Sequence, residues 1–256
     1  MQSYLRVSIL LAVLLLSLKA FSSPLTSRPP FFVLAGDSTT ASQAGWGDGF
    51  LNTTLYHGAA GKNDGQNGAT TVTFREGGDW DRMLSAASEH RGDYLSFVTI
   101  QFGHNDQLPI ADISIAEYTA NLERMAIETY KVGATPILVT PLSRRNYDNS
   151  TGEPTIIEDL AAWRNATIHA ARNVHSAYID LNKESTEYLN SIGPKKAHTY
   201  NPRPGDNTHL NVAGSRVFGG MVAMLILKVF PWLDNFVRVD WQLREAIEQE
   251  RYYWPL

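Results

Sequence analysis

Short, almost continuously apolar segments alternate along this chain with longer segments in which apolar residues recur every three or four positions. The apolar runs are typical of parallel strands covered on both faces. They predict strands at Phe31–Ala35, Tyr94–Phe102, Thr135–Thr140 and Ala177–Leu181, with a weaker candidate near Thr54–His57. The three- and four-residue spacing predicts helices over Asp79–Glu89, Ile115–Val132, Ile156–Val174, Val212–Phe230 and Trp241–Glu250. This alternation favours one α/β domain, a parallel sheet with helices on both faces.

Polar residues follow two of the predicted strands, where ligands bind in sheets of this kind. The segment Gly36-Asp37-Ser38-Thr39-Thr40 comes directly after the first strand. The segment Gly103-His104-Asn105-Asp106 follows the strand predicted at Tyr94–Phe102. Asp206-Asn207-Thr208-His209 precedes the predicted helix that starts near Val212. The sequence therefore indicates a polar site at the carboxyl edge of the sheet.

These segments contain the groups that acyl transfer requires. Ser38 offers a hydroxyl nucleophile, and Asn105 offers an amide donor for an oxyanion. Asp206 can accept a hydrogen bond from one imidazole nitrogen of His209 and leave the other free as a base. A further donor is expected near Asn67–Thr71, where Gly68 permits close approach of the backbone to a ligand.

Taken together and in order, these segments resemble the four conserved blocks of the SGNH (GDSL-like) hydrolase family, from Phe31 to about Asn211. The resemblance implies a three-layer α/β/α, flavodoxin-like fold with a five-stranded parallel sheet. It implies Ser38 as nucleophile with Asp206 and His209 completing the triad, and it requires no cofactor and no metal. The oxyanion hole would comprise the Ser38 and Gly68 backbone N–H groups and the Asn105 side chain.

The first block, Gly-Asp-Ser-Thr-Thr, resembles that of fungal rhamnogalacturonan acetylesterases rather than the Gly-Asp-Ser-Leu of lipase-like members. An acetylated pectic or other plant polysaccharide is therefore the expected substrate, with a lipase-like preference for other acyl esters as the alternative. Substrate contacts are predicted for His104, Asp106 and Trp80. Support of the Asn105 loop is the competing interpretation for His104 and Asp106, and core packing for Trp80.

The N-terminus has the pattern of a secretory signal peptide. Arg6 precedes an apolar run from Val7 to Leu18, and small residues follow through Ser22. The run is shorter than the roughly 20 residues of a membrane-spanning helix. We therefore expect a signal peptide at residues 1–22, an esterase domain at residues 23–256, and an extracellular protein. The second apolar stretch, Val217–Val229, contains Lys228 and is expected to form a core helix.

Three N-glycosylation sequons accord with secretion; they begin at Asn52, Asn149 and Asn165. The chain has no cysteine, which excludes disulfides and cysteine metal sites, and its net charge of −4 gives no basic surface for nucleic acid. A monomer that binds neither nucleic acid nor a membrane is expected. Two rival functions remain: a metal-dependent phosphoesterase, and a carbohydrate-binding protein that has lost catalysis.

Overall fold

The computed structural model describes residues 28–255, which form one three-layer domain. The strands are β1 (Pro30–Gly36), β2 (Ala60–Asn63), β3 (Leu95–Gln101), β4 (Thr135–Val139), β5 (Tyr147–Asp148), β6 (Thr155–Ile156) and β7 (Ala177–Ile179). The helices are α1 (Gly47–Thr54), α2 (Thr73–Glu76), α3 (Asp79–Glu89), α4 (Ile115–Lys131), α5 (Ala161–Asn173), α6 (Leu181–Ala197), α7 (Val212–Val229) and α8 (Trp241–Glu248).

Five strands form the central sheet in the order β2-β1-β3-β4-β7, and every neighbouring pair is parallel. β1 pairs with β3 along its whole length, from Pro30 opposite Leu95 to Gly36 opposite Gln101. The carboxyl ends of these two central strands therefore lie side by side. This brings the segments that follow them, at residues 37–40 and 103–106, to the same edge of the sheet.

The two faces of the sheet bury separate hydrophobic layers, because side chains alternate along each strand. In β1, Phe32 and Leu34 pack into the layer that contains α7, whereas Phe31, Val33 and Ala35 pack into the layer that contains α3 and α4. The predicted parallel sheet with helices on both faces is confirmed.

The strongly periodic segments were predicted closely, and one strand was predicted in the wrong place. α3 has the predicted bounds, and the observed ends of α4 and α7 are one residue shorter than expected. The segment near Thr54–His57 is not a strand of the sheet, since Thr54 ends α1 and Leu55 forms only an isolated bridge to Val237. The second strand is instead β2, Ala-Gly-Lys-Asn, an edge strand without an apolar run.

Another prediction was wrong at its start, and three helices were missed. The helix expected from Ile156 begins at Ala161, because Ile156 pairs with Tyr147 in the small β5–β6 hairpin. The helices α1, α2 and α6 were not predicted. α6 bends at Gly193, whose φ of 73° is left-handed, just before Pro194. The predicted signal peptide, residues 1–22, lies outside the described residues.

The apolar helix α7 lies in the core and packs closely on α1. It is long and apolar enough to cross a membrane, yet most of its residues are buried inside the domain, as expected for a core helix. The approach is close enough that a Cβ atom on Gly219 would lie 2.2 Å from the Phe50 nitrogen. Only glycine at this position allows the two helices to meet at this distance.

Candidate active site

Ser38 lies in a tight turn directly after β1, and the Asp37 carboxylate holds this turn. The Asp37 Oδ1 atom accepts hydrogen bonds from the Thr39 backbone N–H at 2.8 Å and from the Thr39 hydroxyl at 2.7 Å. Complete burial would raise the pKa of the Asp37 carboxyl, but the neighbouring His104 and these hydrogen bonds outweigh it and lower the pKa. Asp37 thus serves as an ionised structural anchor for the turn.

The structure brings Ser38, His209 and Asp206 together in one hydrogen-bonded row. The Ser38 Oγ atom lies 3.0 Å from His209 Nε2. On the other side of the ring, His209 Nδ1 lies 3.0 and 3.1 Å from the two Asp206 carboxylate oxygens. A carboxylate can only accept, so Nδ1 carries the proton and Nε2 is free to accept the Ser38 hydroxyl proton.

The Asp206 carboxyl is held in its charged form. Partial burial raises its pKa, but hydrogen bonds from the His209 backbone N–H and imidazole more than compensate, so the pKa lies below its usual value. Arg203 Nε adds a positive group 3.7 Å from Asp206 Oδ2. The arrangement therefore keeps a negative charge beside the imidazole, which can stabilise the imidazolium that forms during acyl transfer.

A cavity of about 540 Å³ opens in front of Ser38 and contains the expected oxyanion donors. Gly68, Asn105 and His209 share its lining with Ser38. Gly68 has a φ of 77°, and no heavy atom lies within 4 Å of where its Cβ would be. Asn105 Nδ2 donates one hydrogen to the Ala69 carbonyl at 3.0 Å, which leaves the second amide hydrogen for another acceptor.

The two backbone donors are also available for an acceptor. Neither the Ser38 N–H nor the Gly68 N–H has a hydrogen-bond partner within residues 28–255. Unpartnered backbone N–H groups are rare where water is excluded and are used by ligands where a cavity reaches them. With the second Asn105 amide hydrogen, three donors without a protein partner therefore belong to residues that line this cavity.

Asp106 does not contact the cavity, so its predicted role in substrate binding is corrected. Its side chain is 1% exposed, and Oδ1 accepts hydrogen bonds from the Thr71 backbone N–H and hydroxyl at 2.8 and 2.7 Å. Oδ2 accepts from the Gly103 N–H at 3.1 Å. Burial raises the pKa of this carboxyl. Asp106 instead ties the loop that carries Asn105 to the segment that carries Gly68.

His104 is buried as well, and its predicted contact with substrate is likewise corrected. It is 3% exposed, and its Nε2–H donates to the Leu142 carbonyl at 2.9 Å. Its Nδ1 atom lies 3.4 Å from Asp37 Oδ2. The imidazole therefore packs beneath the site and links the turn after β1 to the segment after β4, which matches the supporting role that was its alternative.

Trp80 is remote from the cavity, and the expectation that it stacks on a sugar ring is corrected. It is 1% exposed in the layer of α3 and α4, where its Nε1–H donates to Glu128 Oε2 at 2.6 Å. Glu128 also accepts two hydrogen bonds from Arg75. The indole thus takes part in a hydrogen-bonded contact between helices, and no pattern in the sequence indicated Glu128 as its partner.

Arg145 lies behind the loop of Asp206 and His209, a position that the sequence did not predict. Its side chain is fully buried, and its Nη2 donates to the His209 and Asp206 carbonyls while Nε donates to Asn201 Oδ1. Burial lowers the pKa of the guanidinium to about 10, against the opposing charge of Asp206. As a basic residue in a predicted loop, Arg145 was equally compatible with pairing to uronate carboxylates and with a solvated surface, and its burial contradicts both.

Within residues 28–255 no group of three or more His, Asp or Glu side chains is placed to hold a metal ion. The possible metal ligands of a phosphoesterase are Asp37, His104, Asp106, Asp206 and His209. In the structure each of these side chains has other partners. Asp37 and His104 lie beneath the turn, Asp106 binds backbone, and Asp206 pairs with His209. The donor set thus does not form the two-metal site on which the phosphoesterase hypothesis depended.

The GDSL-like Lipase/Acylhydrolase family model matches residues 34–217, which include Ser38, Gly68, Asn105, Asp206 and His209. Rhamnogalacturonan acetylesterase RhgT of Bacillus subtilis is 30% identical over 232 residues, covering 82% of this chain and 95% of the relative. The uncharacterized esterase YxiM of Bacillus subtilis is 31% identical over 206 residues, covering 77% of this chain and 51% of the relative.

Solved structures show the same fold. The crystal structure of YxiM superposes with a TM-score of 0.67 at 26% identity, covering 81% of this chain, which spans 58% of that chain. The acetylxylan esterase Axe2 of Geobacillus stearothermophilus superposes with a TM-score of 0.56 at 18% identity, covering 79% of this chain and 94% of that chain. With the matched family model and the parallel five-stranded sheet, these likenesses identify the chain as an ester hydrolase of the GDSL-like lipase/acylhydrolase family.

Proposed function

We propose that this chain is a secreted serine acetylesterase that removes acetyl groups from a plant cell-wall polysaccharide, with rhamnogalacturonan as the preferred class. The observation that carries the serine mechanism is the 3.0 Å contact between Ser38 Oγ and His209 Nε2, with Asp206 on the opposite ring nitrogen. The acetyl and polysaccharide assignment is supported by the named activity of the relative RhgT and by the Gly-Asp-Ser-Thr-Thr block.

In the first half of the reaction His209 Nε2 takes the proton of Ser38 while Ser38 Oγ attacks the ester carbonyl carbon. The carbonyl oxygen becomes an oxyanion that accepts hydrogen bonds from the Ser38 and Gly68 N–H groups and the Asn105 amide. The bond from the carbonyl carbon to the sugar oxygen then breaks, and His209 returns the proton to that oxygen. The products are the free sugar hydroxyl and an acetyl group on Ser38.

In the second half His209 takes a proton from water, whose oxygen attacks the acetyl carbon. The same donors hold the second oxyanion. Its collapse breaks the bond between the acetyl carbon and Ser38 Oγ, and His209 returns its proton to Oγ, so acetate leaves and the Ser38 hydroxyl is restored. Asp206 stabilises the imidazolium that forms in each half. All groups used belong to this chain, so the cycle calls for no cofactor.

The cavity rim carries a charge suited to an acidic polymer. Arg203 lines the cavity, and its side chain is 80% exposed. A guanidinium pairs well with carboxylates, which uronate residues of pectic polysaccharides carry. This supports rhamnogalacturonan over the uncharged backbone of xylan as the preferred polymer.

The decisive experiment compares acetate release from acetylated rhamnogalacturonan, acetylated xylan and a long-chain ester by the wild-type protein and by Ser38→Ala. We expect release from the pectic polymer, retained in EDTA, and none by Ser38→Ala. A serine-reactive phosphonate should label Ser38. Preference for the long-chain ester would replace the substrate assignment with a lipase-like one, whereas normal turnover by Ser38→Ala would overturn the serine mechanism.

We further propose that residues 1–22 are removed on secretion and that the mature protein is a glycosylated monomer that binds neither nucleic acid nor a membrane. The leader pattern supports removal of residues 1–22. The exposure of Asn52, Asn149 and Asn165 supports glycosylation. N-terminal sequencing of protein secreted by a eukaryotic host should start at Ser23. Light scattering should give the mass of one chain, and glycopeptide mass spectrometry should find carbohydrate at the sequons.

A further inference from the structure

A second cavity adjoins the one in front of Ser38. It measures about 690 Å³, within the size range of ligand-binding pockets, and it lies between α1 and the start of α7. Gln43 and Pro202 line both cavities. The two spaces therefore adjoin at these residues, and we call the part beyond Gln43 and Pro202 the side groove.

The side groove combines apolar surface with polar groups, of which Asp48 and Arg216 are charged and the others neutral. Pro202, Leu210 and Val212 supply the apolar part, and Val212 is 72% exposed although it is a large aliphatic residue. Gln43, Asn52 and Ser215 contribute amide and hydroxyl groups. A sugar ring presents C–H faces and hydroxyl groups together, so it matches this lining better than a purely apolar or a purely charged ligand does.

Gln43, at the junction of the two cavities, is held in a backbone conformation that few non-glycine residues adopt. Its φ is 65°, a left-handed value that persists only where neighbours enforce it. Asp48 does so, because its carboxylate accepts from the Gln43 N–H at 3.2 Å and from the Ser42 hydroxyl at 3.0 Å. The strain fixes the position of residue 43 on the rim.

The side chain of Gln43 is free for a ligand. It is exposed, and its amide has no hydrogen-bond partner in the described part of the chain. An amide held at a fixed point between a catalytic cavity and a neighbouring groove can both donate to and accept from hydroxyl groups.

We propose that the side groove is a saccharide-binding subsite, in which Gln43 binds the sugar residue next to the acetylated one along the polysaccharide chain. The proposal rests on the proposed function, because it assigns this groove to the polymer that the Ser38 site deacetylates. Because the two cavities adjoin at Gln43, we expect the polysaccharide to run from the ester at Ser38 past Gln43 toward α1 and α7.

The test compares two substrates that differ in reach. p-Nitrophenyl acetate fills only the cavity at Ser38, whereas an acetylated oligosaccharide extends into the side groove. Protein from a bacterial host without N-glycosylation keeps Asn52 bare. Gln43→Gly removes the amide and retains the left-handed backbone at no steric cost, and Gln43→Ala removes the amide alone. Gln249→Ala, at an exposed glutamine after α8, is the matched control.

We expect both Gln43 variants to lower the ratio of kcat/KM on the oligosaccharide to kcat/KM on p-nitrophenyl acetate by roughly three- to tenfold, the loss of one or two neutral hydrogen bonds. The change should appear mainly in KM. Gln249→Ala should leave both substrates unaffected. In Ser38→Ala protein, binding of the deacetylated oligosaccharide measured by calorimetry should weaken by a similar factor when Gln43 is also replaced.

The outcomes separate this inference from the proposed function. Equal losses on both substrates, or unchanged oligosaccharide binding, would overturn the subsite and leave the acetylesterase intact. Hydrolysis of p-nitrophenyl acetate by a wild-type protein that releases no acetate from any polysaccharide would overturn both. A loss in Gln43→Ala that Gln43→Gly does not share would assign the effect to the backbone and would also contradict a role for the amide.

Discussion

The Asn105 side chain has two amide hydrogens, one for the protein and one for the cavity. One amide hydrogen is used by the Ala69 carbonyl, so truncation removes both a loop contact and an oxyanion donor. Asn105→Ala should lower kcat on p-nitrophenyl acetate roughly 10²–10³-fold, the usual cost of one oxyanion donor, with little change in KM.

The control for this prediction is Asn173→Ala on the far end of α5, whose amide contacts Glu123 and His169. It removes an asparagine from a helix without approaching the cavity and should retain full activity. Steady-state kinetics with thermal midpoints for all three proteins provide the measurement. A loss of less than about threefold in folded Asn105→Ala would remove this amide from the oxyanion hole.

Arg145 holds the loop of His209 and Asp206 by its main-chain carbonyls, and its removal should misplace the base without touching the substrate. Arg145→Met should lower kcat about 10²-fold, as small misplacements of catalytic groups do, with KM nearly unchanged. Steady-state kinetics on p-nitrophenyl acetate would measure kcat and KM separately.

A lysine at the same position tests whether charge or geometry matters. Arg145→Lys keeps the charge and lacks the planar fork that reaches the carbonyls through Nη2 and Asn201 Oδ1 through Nε, so its kcat should stay close to that of Arg145→Met. Full recovery of kcat by Arg145→Lys would contradict a positioning role through the carbonyls. Arg172→Met, at an exposed arginine on α5, is the control and should behave as wild type.

Among the elements, α1 and α7 pack backbone against backbone, and this contact limits the size of the side chains between them. Gly219→Ala would place a methyl group 2.2 Å from the Phe50 nitrogen and 2.5 Å from the Gly49 carbonyl carbon. The helices must move apart, which should lower the free energy of unfolding by about 1–3 kcal/mol. Denaturant unfolding would measure it. Gly92→Ala, with no atom within 4 Å of the new methyl group, should change stability little, and equal losses in both would contradict this account.

The helices α2, α3 and α4 are joined through the Glu128 carboxylate. It accepts hydrogen bonds from Arg75 at 2.6 and 3.1 Å and from Trp80 at 2.6 Å. Burial raises its pKa, but these bonds outweigh that effect and lower the pKa from 4.5 to about 2. A carboxyl with a depressed folded-state pKa stabilises the protein fully above its unfolded value and loses this contribution as the pH falls.

Glu128→Gln should therefore lower the free energy of unfolding by about 1–3 kcal/mol at pH 7. The difference from wild type should shrink between about pH 4.5 and pH 2, where the wild-type carboxylate becomes protonated. Denaturant unfolding across this range is the measurement. Glu187→Gln, which breaks an exposed pair with Lys183, should cost less than about 0.5 kcal/mol at any pH. A pH-independent difference for Glu128→Gln would refute the linkage.

At the scale of the whole molecule, the sheet and the grouping of the site were predictable because they depend on patterns along the chain. Residues after neighbouring parallel strands must meet at one edge, so Ser38 and Asn105 could be placed together from the order of the strands. His209 joined them through its spacing to Asp206 and the resemblance to known blocks.

The remaining features depend on contacts between distant residues, which no local pattern contains. β2 is a polar edge strand and has no apolar run to reveal it. Arg145 and Asp106 occur in polar segments, yet both are buried because backbone groups of other segments satisfy them. Trp80 packs in a hydrophobic layer, and no local pattern shows that its indole N–H donates to Glu128.

Asn52 belongs to α1, and its side chain borders the side groove. A branched oligosaccharide attached there would stand beside the path proposed for the polymer and narrow it, while a small ester could still diffuse to the nucleophile. The expression host would then alter the apparent substrate selectivity of the enzyme. Protein made in yeast should be less active on long polysaccharides, and enzymatic removal of the Asn52 glycan should restore that activity.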